Sequence, residues 1–121
     1  MTQEILLAYR TMEEDLQKYK TAISNLECTF QKLSPKDQQK SASTYTEMFA
    51  GLDLRCKLLQ SQIDEVKSWI SRIADPLTAI AITLHYLEGY TWDQTGTILK
   101  VSPGAIARRV QRFVKKEAKK T

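Results

Sequence analysis

The most constraining feature of this chain is a stripe of apolar residues near its beginning, spaced alternately four and three positions apart. The stripe comprises Ile5, Tyr9, Met12, Leu16, Tyr19, Ile23, Leu26, Phe30 and Leu33. Because an α-helix repeats about every 3.6 residues, this seven-residue repeat places all of them along one side of a helix. The pattern predicts one long, continuous helix that packs lengthwise against a partner helix.

A second stripe of the same kind follows after a break. Pro35 cannot continue the first helix and biases Ser34 away from helical geometry. The polar residues 38–44 extend the connection, either as a loop or partly as helix. The second stripe comprises Phe49, Leu52, Cys56, Leu59, Ile63, Val66, Ile70 and Ile73. Two helices of about 30 residues, each ~45 Å long, predict an antiparallel coiled-coil hairpin over residues 1–74.

Four further apolar residues lie off the second stripe: Met48, Leu54, Leu58 and Trp69. A two-helix hairpin buries only one side of each helix, so these residues offer a second, weaker apolar surface. We expect it to be covered by a second protomer or by the C-terminal part of the chain. The first possibility predicts a homodimer formed through the hairpin.

Helix-start signals divide residues 75–121 into three helices. The capping residues are Asp75 before Pro76, Thr91 before Trp92, and Ser102 before Pro103. The first helix is apolar nearly all round, which predicts burial on several sides, and it ends at Gly89. Gly96, inside the short second helix, predicts close approach by another helix. Helices two and three, joined by a turn at Lys100 and Val101, predict a helix-turn-helix.

Charge is distributed unevenly between these two parts. The chain carries 18 basic and 14 acidic residues, but residues 1–75 have a net charge of −1 and residues 76–121 have a net charge of +5. From Lys100 onward, eight basic residues stand against the single acid Glu117. Such asymmetry predicts an acidic partner for the C-terminal module, with nucleic acid the first candidate.

The third helix separates its side chains by chemistry. At 100° per residue, its apolar side holds Ile106, Val110, Phe113 and Val114, and the opposite side carries cations, an amide and a glycine. In a helix-turn-helix the second helix of the motif enters the major groove. The predicted DNA-binding residues are Lys100, Ser102, Gly104, Ala105, Arg108, Arg109, Gln111, Arg112, Lys115 and Lys116.

Different roles are expected within this set. Arg108 and Arg112 can pair with the O6 and N7 atoms of guanine, and Gln111 can pair with adenine. Lys100 and the flanking row Arg109, Lys116 and Lys120 are expected to lie over phosphates, as are the backbone amides behind Ser102. A helix that is basic only for solubility is the plain alternative.

The C-terminal module resembles region four of bacterial sigma factors. The resemblance covers residues 75–117 and rests on the string LHYLEGYTWDQ at 84–94, VSPGAI at 101–106, and Arg109-Val110. It implies that the last helix binds a promoter element and that neighbouring surfaces contact RNA polymerase. The whole chain looks similar to small phage proteins that join a coiled coil to such a module, the late-gene activators of the RinA and ArpU type.

Three positions depart from the family pattern. Thr95 stands where the family usually has an aliphatic residue, Lys100 replaces the usual turn glycine, and Ala107 stands where a long polar base reader is common. The fold is expected to survive these changes, whereas Ala107 lacks the long polar side chain with which this position reads a base. From its length we expect the chain to lack the promoter-melting region of a full sigma factor.

Composition argues against several other classes. Cys28, Cys56 and the single histidine, His85, are too few for a structural zinc site, and the four glycines never cluster into a phosphate-binding loop. His85 is expected to be a hydrogen-bonded core or boundary residue, and Cys28 an inert surface thiol. We therefore expect no enzyme activity, no metal and no cofactor.

We find no signal peptide and no bilayer-spanning run, and so expect a protein of the bacterial cytoplasm without a membrane partner.

The sequence thus predicts an all-α protein: a long hairpin over residues 1–74, then a three-helix DNA-binding module over residues 75–121. The favoured function is sequence-specific regulation of transcription, as a phage-type activator that binds double-stranded DNA and contacts RNA polymerase. Two alternatives stay open. One is a phage terminase small subunit, which ring-sized oligomers would favour. The other is an adaptor of RNA polymerase that does not bind DNA.

Overall fold

The computed structural model describes residues 1–120, and throughout this range the ordered elements are helices. They are α1 (Gln3–Gln31), α2 (Pro35–Ser71), α3 (Pro76–Ile82), α4 (Trp92–Leu99) and α5 (Pro103–Lys120). A π-helical turn, Thr83–Leu87, continues α3. No strand occurs among the described residues, and the long helices α1 and α2 pack against each other ahead of a helical C-terminal module. The predicted all-α fold class is confirmed.

The chain forms two compact units that do not follow the order of the sequence. Unit 1 comprises Met1–Thr11 and Ile63–Thr121, and unit 2 comprises Met12–Gln62. The start of α1 and the end of α2 therefore belong with the C-terminal helices. The predicted division into residues 1–74 and 75–121 describes the order of modules along the chain and stays a prediction.

Unit 2 contains the turn between α1 and α2, which is shorter than the sequence indicates. The Ser34 hydroxyl accepts a hydrogen bond from the Asp37 amide at 3.2 Å, and Pro35 occupies the first position of α2, where its missing N–H costs nothing. The side-chain amide of Gln38 donates to the carbonyls of Phe30 (3.1 Å) and Leu33 (3.2 Å). Residues 38–44 all lie within α2, so the prediction that they extend the connection is wrong and only its helical alternative agrees with the structure.

The apolar stripes pair along unit 2 as predicted. The rings of Phe30 on α1 and Tyr45 on α2 lie 4.9 Å apart. Leu16 is buried, and the Arg55 guanidinium lies over the Tyr19 ring at 5.8 Å from its centre. The α2 stripe extends back to half-buried Tyr45, and α2 has 37 residues against 29 for α1.

Unit 1 has the larger core, to which every one of its helical segments except α4 contributes a buried apolar side chain. These side chains are Leu6, Tyr9, Ile63, Val66, Ala81, Ile82, Tyr86, Ile106, Val110 and Val114. Leu6 is fully buried, whereas Ile5, the predicted first member of the α1 stripe, is 42% exposed. The predicted position of Ile5 is therefore wrong. The buried face shifts by one residue because α1 here faces the C-terminal helices, with Gln3 hydrogen-bonded to Tyr86.

Trp69 shows how part of the second apolar surface is covered. Its ring lies 5.8 Å from the Phe113 ring of α5, so the C-terminal module covers this residue. Met48, Leu54 and Leu58 belong to unit 2 and stay exposed. Among these four residues the C-terminal module therefore covers Trp69 alone, and cover of the other three by a second protomer stays a prediction.

His85 lies at the boundary of unit 1, as predicted. Its Nδ1 is 2.7 Å from the Tyr90 carbonyl, to which it donates, and its ring stacks on Trp92 with 3.7 Å between centres. Partial burial lowers the pKa of His85, and the hydrogen bond to Tyr90 opposes this shift. Gly89, which ends the helix, has a φ of +81°, the left-handed conformation expected of a residue in this position.

The turn between α4 and α5 is tightly packed. A Cβ atom on Gly96 would lie 2.6 Å from the Val101 carbonyl oxygen and 3.1 Å from Pro103, so the predicted close approach comes from the turn and the start of α5. Lys100 adopts a left-handed conformation with φ of +57°. Thr95 is fully buried, and its hydroxyl has no hydrogen-bond partner among the described residues.

We expect Thr95→Val to stabilise the protein. The change keeps the side-chain shape and removes a buried hydroxyl that is unpaired, which should raise the free energy of unfolding by about 1 kcal/mol. Urea unfolding followed by circular dichroism measures it. Thr78→Val is the matched control, because the buried Thr78 hydroxyl donates to Asp75 at 2.6 Å and its loss should destabilise. Equal destabilisation by both changes would contradict the prediction.

We also expect Lys100→Gly to stabilise the turn, by about 0.5–1 kcal/mol, because glycine adopts left-handed geometry without the steric cost that a Cβ brings. Thermal unfolding provides the measurement. Lys116→Gly serves as the control: position 116 is exposed within α5, where glycine should destabilise by about 1 kcal/mol. A lower melting temperature for Lys100→Gly would refute the expectation.

Candidate nucleic-acid interface

The orientation of α5 follows from its buried side. Ile106 and Val110 are fully buried and Val114 nearly so, while Phe113 is half-buried against Trp69. The opposite side is exposed, as the sequence predicts. It presents Gly104, Arg108, Gln111, Arg112, Lys115 and Lys119.

The first turn of α5 is open to solvent. Pro103 begins the helix, and the Ser102 carbonyl accepts from the Ile106 amide at 3.0 Å. A Cβ atom on Gly104 would lie 3.5 Å from the Arg108 guanidinium. Arg108 therefore extends back over the first turn, where the positive end of the helix dipole also favours an anion.

The exposed side of α5 has two edges. Along one edge Arg108, Arg109 and Arg112 line a cleft of about 390 Å³ with Leu77 of α3 and Val101 of the turn. Along the other edge Gln111 and Lys115 border a second cleft, whose further lining residues are Thr2, Gln3, Glu4, Tyr86, Val114 and Ala118. The arginines thus lie together beside α3, and Gln111 lies on the side of α1.

Arg109 has a structural role that the sequence analysis missed. Its Nε donates to Asp75 Oδ2 at 3.0 Å and approaches the Thr78 hydroxyl at 3.3 Å, and its Nη2 also pairs with Asp75. Asp75 is the N-cap of α3, accepting from the Leu77 amide. The cap was predicted, but nothing in the local sequence indicates a partner 34 positions away. This contact joins α5 to the start of α3.

The same network sets the charge state of Asp75. Hydrogen bonds from Thr78 and then from Arg109 hold the pKa of this carboxyl below its ordinary value of 3.8. The folded state therefore favours ionised Asp75, and a salt-bridged cap remains in place at neutral pH.

Each of the other predicted site residues is exposed. Lys100, Ser102, Gly104, Ala105, Arg108, Gln111, Arg112, Lys115 and Lys116 are all accessible, on α5 or in the turn before it. Their roles toward DNA remain predictions. Within the described part of the chain, no group of three or more His, Cys, Asp or Glu residues is placed to hold a metal ion. No described helix is long and apolar enough to cross a membrane.

Comparison with known proteins agrees with this geometry. Residues 75–116 match the family model for sigma-70, region 4, which confirms the resemblance drawn from the sequence. The match covers α3, the π-helical turn and α4, together with most of α5. Neither the curated proteins nor the solved structures contain a significant match to the chain.

We expect the Asp75–Arg109 contact to stabilise unit 1 at neutral pH and to lose this effect in acid. Because folding lowers the pKa of Asp75, its contribution is fully present above about pH 4 and falls as pH drops through the folded-state pKa. Asp75→Asn and Arg109→Ala should each lower the melting temperature by a few degrees at pH 7, and by less at pH 3.

Lys116→Ala is the control for these two variants, since it also removes an exposed cation from α5. Differential scanning calorimetry of the three variants and the parent at both pH values is the measurement. An Arg109→Ala effect as small as that of Lys116→Ala at pH 7 would contradict a structural role for Arg109.

Proposed function

We propose that this protein is a sequence-specific DNA-binding regulator of transcription. It acts in the bacterial cytoplasm as an activator of the phage type, and α5 is the helix that enters the major groove. The proposal concerns binding rather than catalysis and requires no metal or cofactor. The match of residues 75–116 to sigma-70, region 4 supports a DNA-binding, transcription-related role.

The observation that carries this proposal is the placement of charge on α5. One side of α5 is fully buried at Ile106 and Val110, and the opposite side presents arginine and lysine to solvent. Phosphates attract such a surface from a distance, and arginine can pair with guanine in two hydrogen bonds. Mere solubility would not require the cations to gather on one exposed helix face.

The predicted roles can be refined from the side-chain positions. Arg108 lies over the first turn of α5, the part of a recognition helix that contacts base edges, so we assign it to a guanine. Arg112 and Gln111 are further base readers on opposite edges of α5. Lys100, Lys115 and Lys116 are assigned to phosphates, and the backbone at Ser102, Gly104 and Ala105 allows the duplex to approach.

Arg109 differs from the other basic residues because Asp75 already neutralises part of its charge. We assign it first to holding α5 against α3, with a phosphate contact as a secondary role. The exposed edge of its guanidinium remains available for such a contact, since half of the side chain is accessible.

Two further parts of the proposal concern partners. Contact with RNA polymerase through a surface of unit 1 follows from the likeness to sigma region four. Self-association through the hairpin would place two modules on one DNA, which raises the effective concentration of the second module. A dimer also implies a target with two half-sites.

Arg108→Ala should relax sequence preference. After a preferred site has been selected from a random DNA pool, this variant should bind that site about 10–100-fold more weakly, the usual value of one bidentate base contact. Its affinity for random DNA should fall much less. Fluorescence anisotropy at fixed salt measures both affinities. Equal loss on the two DNAs would show that Arg108 does not read a base.

Lys116→Ala should behave differently. Loss of one phosphate contact weakens binding to all sequences alike and lowers the slope of log K against log salt by about 0.9. Lys36→Ala, an exposed lysine at the start of α2, is the control and should change neither quantity.

The same titrations separate the alternatives. Salt-sensitive DNA binding by the parent chain supports the proposal over a polymerase adaptor that does not bind DNA. Rings of many copies in sedimentation experiments would instead favour the terminase small subunit, and complete absence of DNA binding at low salt would overturn the proposal.

A further inference from the structure

Unit 2 exposes an apolar face on α2 that α1 does not cover. Leu54 and Leu58 are each 58% exposed, and Met48 is 38% exposed. With Gly51 they form a stripe of four residues, which we call the α2 outer stripe. Large apolar side chains in a contiguous exposed stripe are typical of an interaction surface.

Gly51 is the unusual member of this stripe. It lies in the middle of a 37-residue helix, where glycine destabilises the helix relative to alanine. A Cβ atom at this position would meet no described atom within 4 Å. Packing inside the hairpin therefore does not require glycine, whereas close approach by another helix would.

A shallow groove accompanies the glycine. It measures about 350 Å³ and its lining is mainly apolar, from Leu26, Met48 and Leu52 around Gly51. Glu47 and Arg55 complete the lining. The groove thus has an apolar floor and one charge of each sign at its two ends.

The positions of these charges are symmetric about Gly51. Glu47 precedes it by four residues and Arg55 follows it by four, so about 12 Å of helix separates the two within one chain. They are too far apart along the helix axis to pair with each other. On another side of α2, by contrast, Asp53 and Lys57 pair within the helix at 2.8 Å.

We propose that a second copy of this chain docks on the α2 outer stripe, with the two α2 helices antiparallel and crossing at Gly51. Around a two-fold axis at Gly51, Glu47 of each copy faces Arg55 of the other, and Met48 faces Leu54. Both charge pairs and both apolar pairs form at once, which is the self-complementarity that a two-fold interface requires. This inference rests on the dimer of the proposed function and identifies its surface.

Charge reversal tests the pairing directly. Glu47→Arg leaves two arginines facing each other across the axis, and Arg55→Glu leaves two glutamates, so each variant alone should self-associate at least about tenfold more weakly. An equimolar mixture of the two variants restores both opposite-charge pairs and should associate as a heterodimer. The double variant carrying both changes should form homodimers again. Sedimentation equilibrium of the full chain measures all four samples.

Controls guard against simple loss of folding. Arg55→Glu also removes the contact with the Tyr19 ring, whereas Glu47→Arg leaves that contact in place, and circular dichroism should show native helix content for both. The double change Asp53→Lys with Lys57→Asp reverses an ion pair on another side of the same helix and should leave association unchanged.

Gly51 provides an independent readout. With Cys28 and Cys56 replaced by serine, Gly51→Cys should form a disulfide between copies under mild oxidation, since the two α carbons must come within about 7 Å. Gly51→Ala should raise helix stability in dilute solution but weaken association. If Gly51→Ala makes the helix more stable and the dimer weaker, the weaker association comes from a clash between the two crossing helices and not from damage to the fold of one chain.

The outcomes are distinct. A parent chain that is monomeric at every concentration, or a dimer that ignores both charge reversals and forms no Gly51→Cys disulfide, overturns this inference. DNA binding by the monomeric Glu47→Arg variant is measured in parallel. If that variant still binds DNA, the DNA-binding function stands whatever the result for the interface; if the parent dimerises as proposed but binds no DNA, the interface stands alone.

Discussion

Ile106, Val110 and Val114 of α5 lie inside the core of unit 1, and the orientation of the last helix depends on their burial. Removing these side chains from water supplies the free energy that holds the helix in place. Because successive residues turn by 100°, the same burial directs Arg108, Arg112 and Lys115 outward. A one-residue shift of the apolar pattern would turn part of the basic face into the core. The charged surface is thus a geometric consequence of the packing.

The elements whose signals are local could be predicted from the sequence. The Asp75 and Thr91 caps, the left-handed Gly89 and the two faces of α5 all follow from residue types within one or two turns. The paired stripes of α1 and α2 were also predicted. The caps and the turn at Lys100 and Val101 predicted the helix-turn-helix, and the match at 75–116 agrees with it.

What was missed depends on contacts between distant residues or on weak local signals. Polar residues 38–44 contain no apolar stripe, so their helical state follows from the Ser34 cap and from pairing with α1. Leu6 is buried in place of Ile5 because α1 faces the C-terminal helices there, and the spacing of apolar residues does not reveal that neighbour. Arg109 pairs with Asp75, but the sequence already gives each residue another role, Asp75 as a helix cap and Arg109 as a phosphate contact, so nothing pointed to the pair. The roles assigned to the α5 side chains toward DNA depend on a partner that no single chain contains.

The composition of unit 1 also has a consequence for how the protein folds during synthesis. Gln3 borders the same cleft as Val114, so the first turn of α1 reaches its native surroundings only after α5 has left the ribosome. Contacts of such long sequence separation are slow to form. Unit 2 consists of residues 12–62 alone, so it can assemble earlier. Residues 12–62 of the two long helices can then pack first, and residues 1–11 are among the last to be buried.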